Sequence, residues 1–157
     1  GPWALGERFG VDGQRSLLEV VLKTPKGEIT VANTHWTRIH HRYRSHRKGE
    51  MSVFRDRIDK LKTPQAYVVG GDFNTLPSHS IIRNLSTRLD LQTGTTRHPT
   101  WVHKGKRGSL IRCNLDYVGT LRNGPLELVD LKLLPRRPSD HSPLLCTFVL
   151  NDKKKSK

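Results

Sequence analysis

The sequence predicts an α+β protein, a layered α/β sandwich whose strands occupy both ends of the chain and whose helices fill the middle. Three observations carry that prediction. Apolar runs with β-branched residues or period-2 alternation concentrate in residues 16–34, 66–69 and 110–150. Helical periodicity lies between them, from about residue 48 to residue 85. Chemistry-bearing side chains gather where the strand runs stop, which is where loops leaving a rigid sheet can bring polar groups together without burying them unpaired.

Ser16–Lys23 and Glu28–Thr34 are β-rich runs separated by Thr24-Pro25-Lys26-Gly27, where Pro fixes φ and Gly accepts positive φ, so they form a hairpin. In the second strand Ile29, Val31, Asn33 and His35 share one face, so an apolar row ends in a polar pair. Met51, Phe54, Ile58 and Leu61 recur at helical spacing and place an amphipathic helix at about Lys48–Lys62 with a basic outer face. Ala66–Val69 is a buried strand that stops at Gly70-Gly71. Ser78 or Ser80 can cap a short helix carrying Ile81, Ile82 and Leu85. Leu110–Val118 alternates as one strand, with Arg112, Asn114 and Asp116 on its polar face. Leu126–Leu134 and Pro143–Leu150 are the last two strands, and Asp152–Lys157 is a basic disordered tail.

A chain of 157 residues suits one domain, residues 1–150. Lys and Arg number 28 against 14 Asp and Glu, a net charge of +14, which points to an anionic partner: nucleic acid, a phosphorylated metabolite or an anionic membrane surface. A hydrophobic share of 34% is lean for a self-sufficient core, so part of the core is expected to come from elsewhere. No run of about 18 apolar residues and no export pattern is present, which excludes a spanning helix and favours the cell interior. Cys113 and Cys146 each sit in a strand pattern as free thiols or a single disulfide, and neither makes a metal motif.

Four strand ends carry the chemistry: Asn33-Thr34-His35, then Gly70-Gly71-Asp72-Phe73-Asn74, then Leu115-Asp116-Tyr117-Val118, then Ser139-Asp140-His141-Ser142-Pro143. Each alone also fits an ordinary polar turn or surface position. Their order and content together resemble the endonuclease/exonuclease/phosphatase superfamily, the fold of DNase I-like nucleases, over about Leu17 to Leu150.

That resemblance implies a site residue by residue. His141 matches the catalytic histidine, and Asp116 the carboxylate that pairs with it, which explains an acid inside a strand. Asp72 and Asn74 match the pair that positions the attacking water and holds the phosphate, with the glycines clearing space for it. Asp140, with Asp72, matches the metal-site carboxylates, and hard oxygen ligands suit Mg²⁺ or Mn²⁺. His35 matches a side chain that contacts phosphate or assists the leaving group. The implied reaction is metal-assisted hydrolysis of a phosphoester by water, in which metal, His141 and Asn74 stabilise the phosphoryl charge.

Members of that superfamily also carry an upstream half with a metal-binding Glu, and Glu7, Asp12 and Glu19 stand in no matching context. The domain is therefore expected to be mainly the C-terminal half of the sandwich, leaving an exposed apolar sheet face. Three readings stay open: a fragment, a second polypeptide that supplies the missing half, or a reduced descendant with impaired catalysis.

Substrate choice rests on charge. Arg38, His40, His41, Arg42, Arg44, His46, Arg47 and Lys48 follow the His35 strand, with Trp36 and Tyr43 interleaved to stack a base. Arg97, His98, Lys104, Lys106 and Arg107 surround Trp101. Both sets favour DNA or RNA as substrate. The alternatives are a basic relative that binds RNA within a ribonucleoprotein, and a hydrolase of inositol phosphates or phospholipids.

Overall fold

The computed structural model describes residues 3–4, 16–38, 44–61, 65–105, 108–135 and 138–151, with backbone alone for 3–4, 16 and 44–46. Among the described residues the elements run in chain order: β1 (Trp3–Ala4), β2 (Ser16–Thr24), β3 (Gly27–His35), α1 (Arg44–Asp59), β4 (Tyr67–Asp72), α2 (Ser80–Leu85), β5 (Leu89–Gln92), β6 (Trp101–Lys104), β7 (Leu110–Cys113), β8 (Asp116–Leu121), β9 (Leu126–Leu133) and β10 (Leu144–Leu150). The tail 152–157 and the expected helix end at Lys62 lie outside the described residues. A six-stranded sheet has the order β1-β2-β3-β4-β8-β5, and β6–β7 and β9–β10 form two hairpins. The layered α+β expectation holds.

Helices α1 and α2 pack on one face of the large sheet, where Trp36, Phe54, Ile58, Tyr67, Phe73 and Leu85 form the main core. The β9–β10 hairpin covers part of the other face, with Val68, Val118 and Leu126 buried against Ile29, Val31 and Phe148. Two strands cannot cover six. On β2, Leu17 is buried and Glu19 meets Arg57 of α1, whereas Leu18, Val20 and Leu22 between and beyond them remain 47%, 44% and 49% exposed. A cleft of about 750 Å³ opens beside this uncovered row, lined by Leu22, Val31, Val118, Leu144 and Phe148 and reaching Asp116 and His141.

Several elements differ from the sequence reading for identifiable reasons. Helix α1 begins at Arg44 rather than Lys48 because its buried stripe continues past Met51 as Glu50 and Arg47, which hydrophobicity cannot reveal. His79, not Ser78 or Ser80, caps α2: its ring accepts the Ile81 N–H at 3.2 Å. The expected strand Leu110–Val118 is two strands in different sheets. Thr100 Oγ1 accepts both the Leu115 and Asp116 N–H groups, at 2.9 and 3.1 Å, and Asn114 Oδ1 accepts the Thr100 N–H, so the chain leaves the β6–β7 hairpin there and enters the large sheet. Cys113 and Cys146 are both free and half-buried.

Strand β4 also does not stop at the glycines but runs through them to Asp72. Gly71 has φ +140°, and a Cβ there would lie 1.9 Å from the Thr34 carbonyl oxygen. The absence of a side chain at Gly71 thus lets the backbone of β3 approach closely. Gly71→Ala is expected to lose on the order of 3 kcal/mol of stability, read by urea unfolding; an unchanged midpoint would show that β3 and β4 need no such close approach.

Candidate active site

Strand register builds the site. β4 pairs in parallel with β3 and antiparallel with β8, so Asp72 stands opposite His35 on one side and Asp116 on the other. Directly paired residues project to the same face, so His35, Asp72 and Asp116 form a polar row across three strands. That face is the one β9–β10 partly covers, since Val68 and Val118 precede and follow the row at period-2 spacing. His35 Nε2 lies 3.4 Å from Asp72 Oδ2.

His141 comes from outside the sheet. Residues 140–142 dock on the start of β6: Val102 N–H donates to the Asp140 carbonyl at 3.0 Å, Ser142 N–H to the Thr100 carbonyl at 2.7 Å, and Trp101 and His141 form a bridge. Thr100, buried and holding residues 115 and 116 as well, therefore sets two catalytic candidates relative to each other. His141 Nδ1 meets Asp116 at 3.1 and 2.9 Å. An ionised carboxylate only accepts, so Nδ1–H donates and Nε2 is the nitrogen turned to the cleft, 4.0 Å from Asp72 Oδ2.

Asp72 is the most constrained acid of the group. Its Oδ1 accepts the Asn74 N–H at 2.8 Å and its Oδ2 the Asn74 side-chain amide at 3.1 Å. Burial pushes its carboxyl above the usual range and Asp116 adds to this, while the Asn74 N–H, His35 and His141 oppose it.

Asp72, Asp116 and His141 each offer one ligand atom within 4.8 Å of the others. Two carboxylates with one imidazole beside an open cleft make a donor set that could hold a divalent cation.

The other expected site residues differ in their placement. Asp140, expected to ligate metal, is exposed and outside this group; its Oδ2 accepts the Trp101 indole N–H at 2.9 Å. That bond holds its carboxyl below the ordinary range, with His141 and Arg38 contributing. Trp36, expected to stack a base, is 0% exposed and stacks on Phe73 at 4.7 Å instead, because it leaves β3 on the helix-covered side. Asn74 is buried, and its amide donates to the Trp36 carbonyl at 2.7 Å as well as to Asp72, so its donors are directed at protein rather than phosphate. Trp101 is half-buried beside His141 and stacks on His103. Arg38 is exposed. Arg42 lies outside the described residues, and of Arg44 only the backbone is described. Arg47, grouped with the basic loop by sequence, is buried.

The sequence profile of the Endonuclease/Exonuclease/phosphatase family matches residues 10–141. A comparison with curated proteins finds no match. Among solved structures, a functionally unknown conserved protein from Enterococcus faecalis V583 superposes with a TM-score of 0.69 at 17% identity, over 96% of this chain and 65% of that one. The human Nocturnin catalytic domain with bound sulfate anion gives 0.62 at 19%, over 96% and 58%. D. rerio TDP2 complexed with single strand DNA product gives 0.65 at 16%, over 95% and 66%. At these identities the likeness is one of fold. The chain spans less than two thirds of the length of the first two of these neighbours, 65% and 58%.

Proposed function

We propose, since this chain belongs to the endonuclease/exonuclease/phosphatase family, that it is a metal-assisted phosphoester hydrolase acting on nucleic acid. The observation that carries the reading is the His141–Asp116 pair at 2.9 Å, with His141 Nε2 turned towards Asp72 in an open cleft. Such a constellation supplies a positioned acid–base group and a carboxylate that can orient water.

In this mechanism Asp116 holds the imidazole in one tautomer and orientation. His141 in its imidazolium form donates its Nε2–H to a phosphoryl oxygen and stabilises the charge that develops on it. Asp72, held by two bonds from Asn74, orients the attacking water; Asn74 acts by holding Asp72. His35, beside Asp72, reaches the phosphate or the leaving oxygen. Asp72 and Asp116 would hold Mg²⁺ or Mn²⁺, which when bound polarises the phosphoryl group.

Nucleic acid is preferred to a small phosphoester because of the +14 charge and because Arg38 and Trp101 lie at the His141 side of the site. The exposed row Leu18, Val20 and Leu22 supports the further reading that additional polypeptide completes the second sheet, from this protein or a partner. A nucleic-acid-binding protein without hydrolysis is the second reading, favoured by the same charge.

The test is hydrolysis of labelled single- and double-stranded DNA and RNA, and of inositol phosphates, with Mg²⁺, Mn²⁺ or EDTA. Cleavage of nucleic acid that EDTA abolishes is expected. Salt-sensitive binding with no cleavage under any metal would replace the hydrolase by the binding protein, and turnover of inositol phosphates alone would move the substrate class.

A further inference from the structure

Arg47 and Glu50 lie about one turn apart on α1 and are only 7% and 3% exposed. Burying two charges is costly unless their hydrogen-bonding capacity is met. Their bonds go to the two loops that leave β3 and β4, the strands carrying His35 and Asp72. Arg47 Nη1 donates to the carbonyls of Thr37 at 2.8 Å and Asn74 at 2.9 Å, and Nη2 donates to Thr75 Oγ1. Glu50 accepts the Thr37 N–H at 2.9 Å and the Thr37 hydroxyl at 2.6 Å. Asn74, the next link, has φ +45°, a left-handed conformation that needs support, and makes both of the bonds to Asp72.

We propose that Arg47 and Glu50 form a buried clamp that positions Asp72, fixing the loop after β3 to the loop after β4 and holding Asn74 against the Asp72 carboxylate. Neither residue touches substrate; both are positioning residues that act through Asp72, and the proposal rests on the hydrolase reading above. The fork of a guanidinium is what the geometry requires, because acceptors on two loops are bridged by one rigid group. The charge of Asp72 is also felt at Arg47, alongside that of Glu50, which opposes the effect of burial on the guanidinium.

Arg47→Lys keeps the charge and removes the fork. It is compared with the unaltered chain by thermal unfolding, steady-state hydrolysis with Mg²⁺, anisotropy of labelled single-stranded DNA in EDTA, and amide hydrogen exchange. The expected result is a folded protein whose kcat falls about 10–100-fold, with KM and DNA affinity unchanged and faster exchange of the Asn74 amide. Glu50→Gln, which keeps the volume, should show a smaller fall in kcat with faster exchange at Thr37. It carries the test if the lysine variant does not fold. Weakened DNA binding with kcat intact would make Arg47 a substrate-binding residue and overturn the clamp. Should the unaltered chain hydrolyse nothing, the hydrolase reading fails by itself, and unchanged protection at Asn74 in a folded Arg47→Lys would overturn the clamp separately.

Discussion

His141→Ala is expected to lower the rate of phosphoester hydrolysis by about 10²–10⁴-fold, the range a positioned acid–base side chain supplies, while leaving the protein folded. The imidazole is only half-buried, and its side-chain partners are Asp116 and Asp72, so its loss opens little cavity in either core. Asp116→Asn separates orientation from mere presence. An amide at Asp116 either presents N–H to Nδ1, inverting the tautomer, or accepts through one oxygen without charge, so a large fall in kcat is expected with the histidine still in place. Stability is read by thermal unfolding beside the rates. Both variants retaining wild-type turnover would place the reacting centre elsewhere and sink the assignment of His141.

Trp36→Ala is expected to cost about 3–5 kcal/mol, the range for deleting a fully buried large aromatic. The ring stacks on Phe73 at 4.7 Å and meets Phe54 edge-on at 5.3 Å, and Phe73 continues to Tyr117 at 5.2 Å, so four aromatic rings under α1 lean on one another. Its effect should appear in urea midpoint, not in the salt dependence of DNA binding measured where the variant is still folded. A variant of native stability with weakened DNA binding would reinstate the base-stacking role that its neighbours Arg38 and His35 suggest. Trp36 sits one residue after His35, so the loss of its ring is also expected to loosen the strand end that carries the histidine.

The row of His35, Asp72 and Asp116 shows how sequence and structure divide the information. Period-2 alternation places His35 on the face of Ile29 and Val31, and the apolar run before Gly70 marks β4, so both strand ends are readable locally. Leu89–Gln92 and Trp101–Lys104 escaped such reading, as did the two-residue β1 that pairs with β2. Leu89–Gln92 has apolar residues at only two of four positions, and Trp101–Lys104 sits in a basic setting that reads as loop; each is a strand because a neighbour supplies its ladder, β8 for the first and β7 for the second. Long-range pairing energy is invisible to a local window.

By itself the sequence determined the layered α+β class, the β2–β3 hairpin, the amphipathic core of α1 and the four polar strand ends, because each follows from local periodicity and turn chemistry. Tertiary structure alone decided which of those polar residues meet. It set Asp72 between His35 and Asp116 through the register of three strands, brought His141 to Asp116 through Thr100, buried Trp36, Asn74 and Arg47, and left Asp140 on the surface. The reason is physical: whether a side chain faces a core, a partner or water depends on what packs against its element, and that is fixed by contacts between residues far apart in the chain.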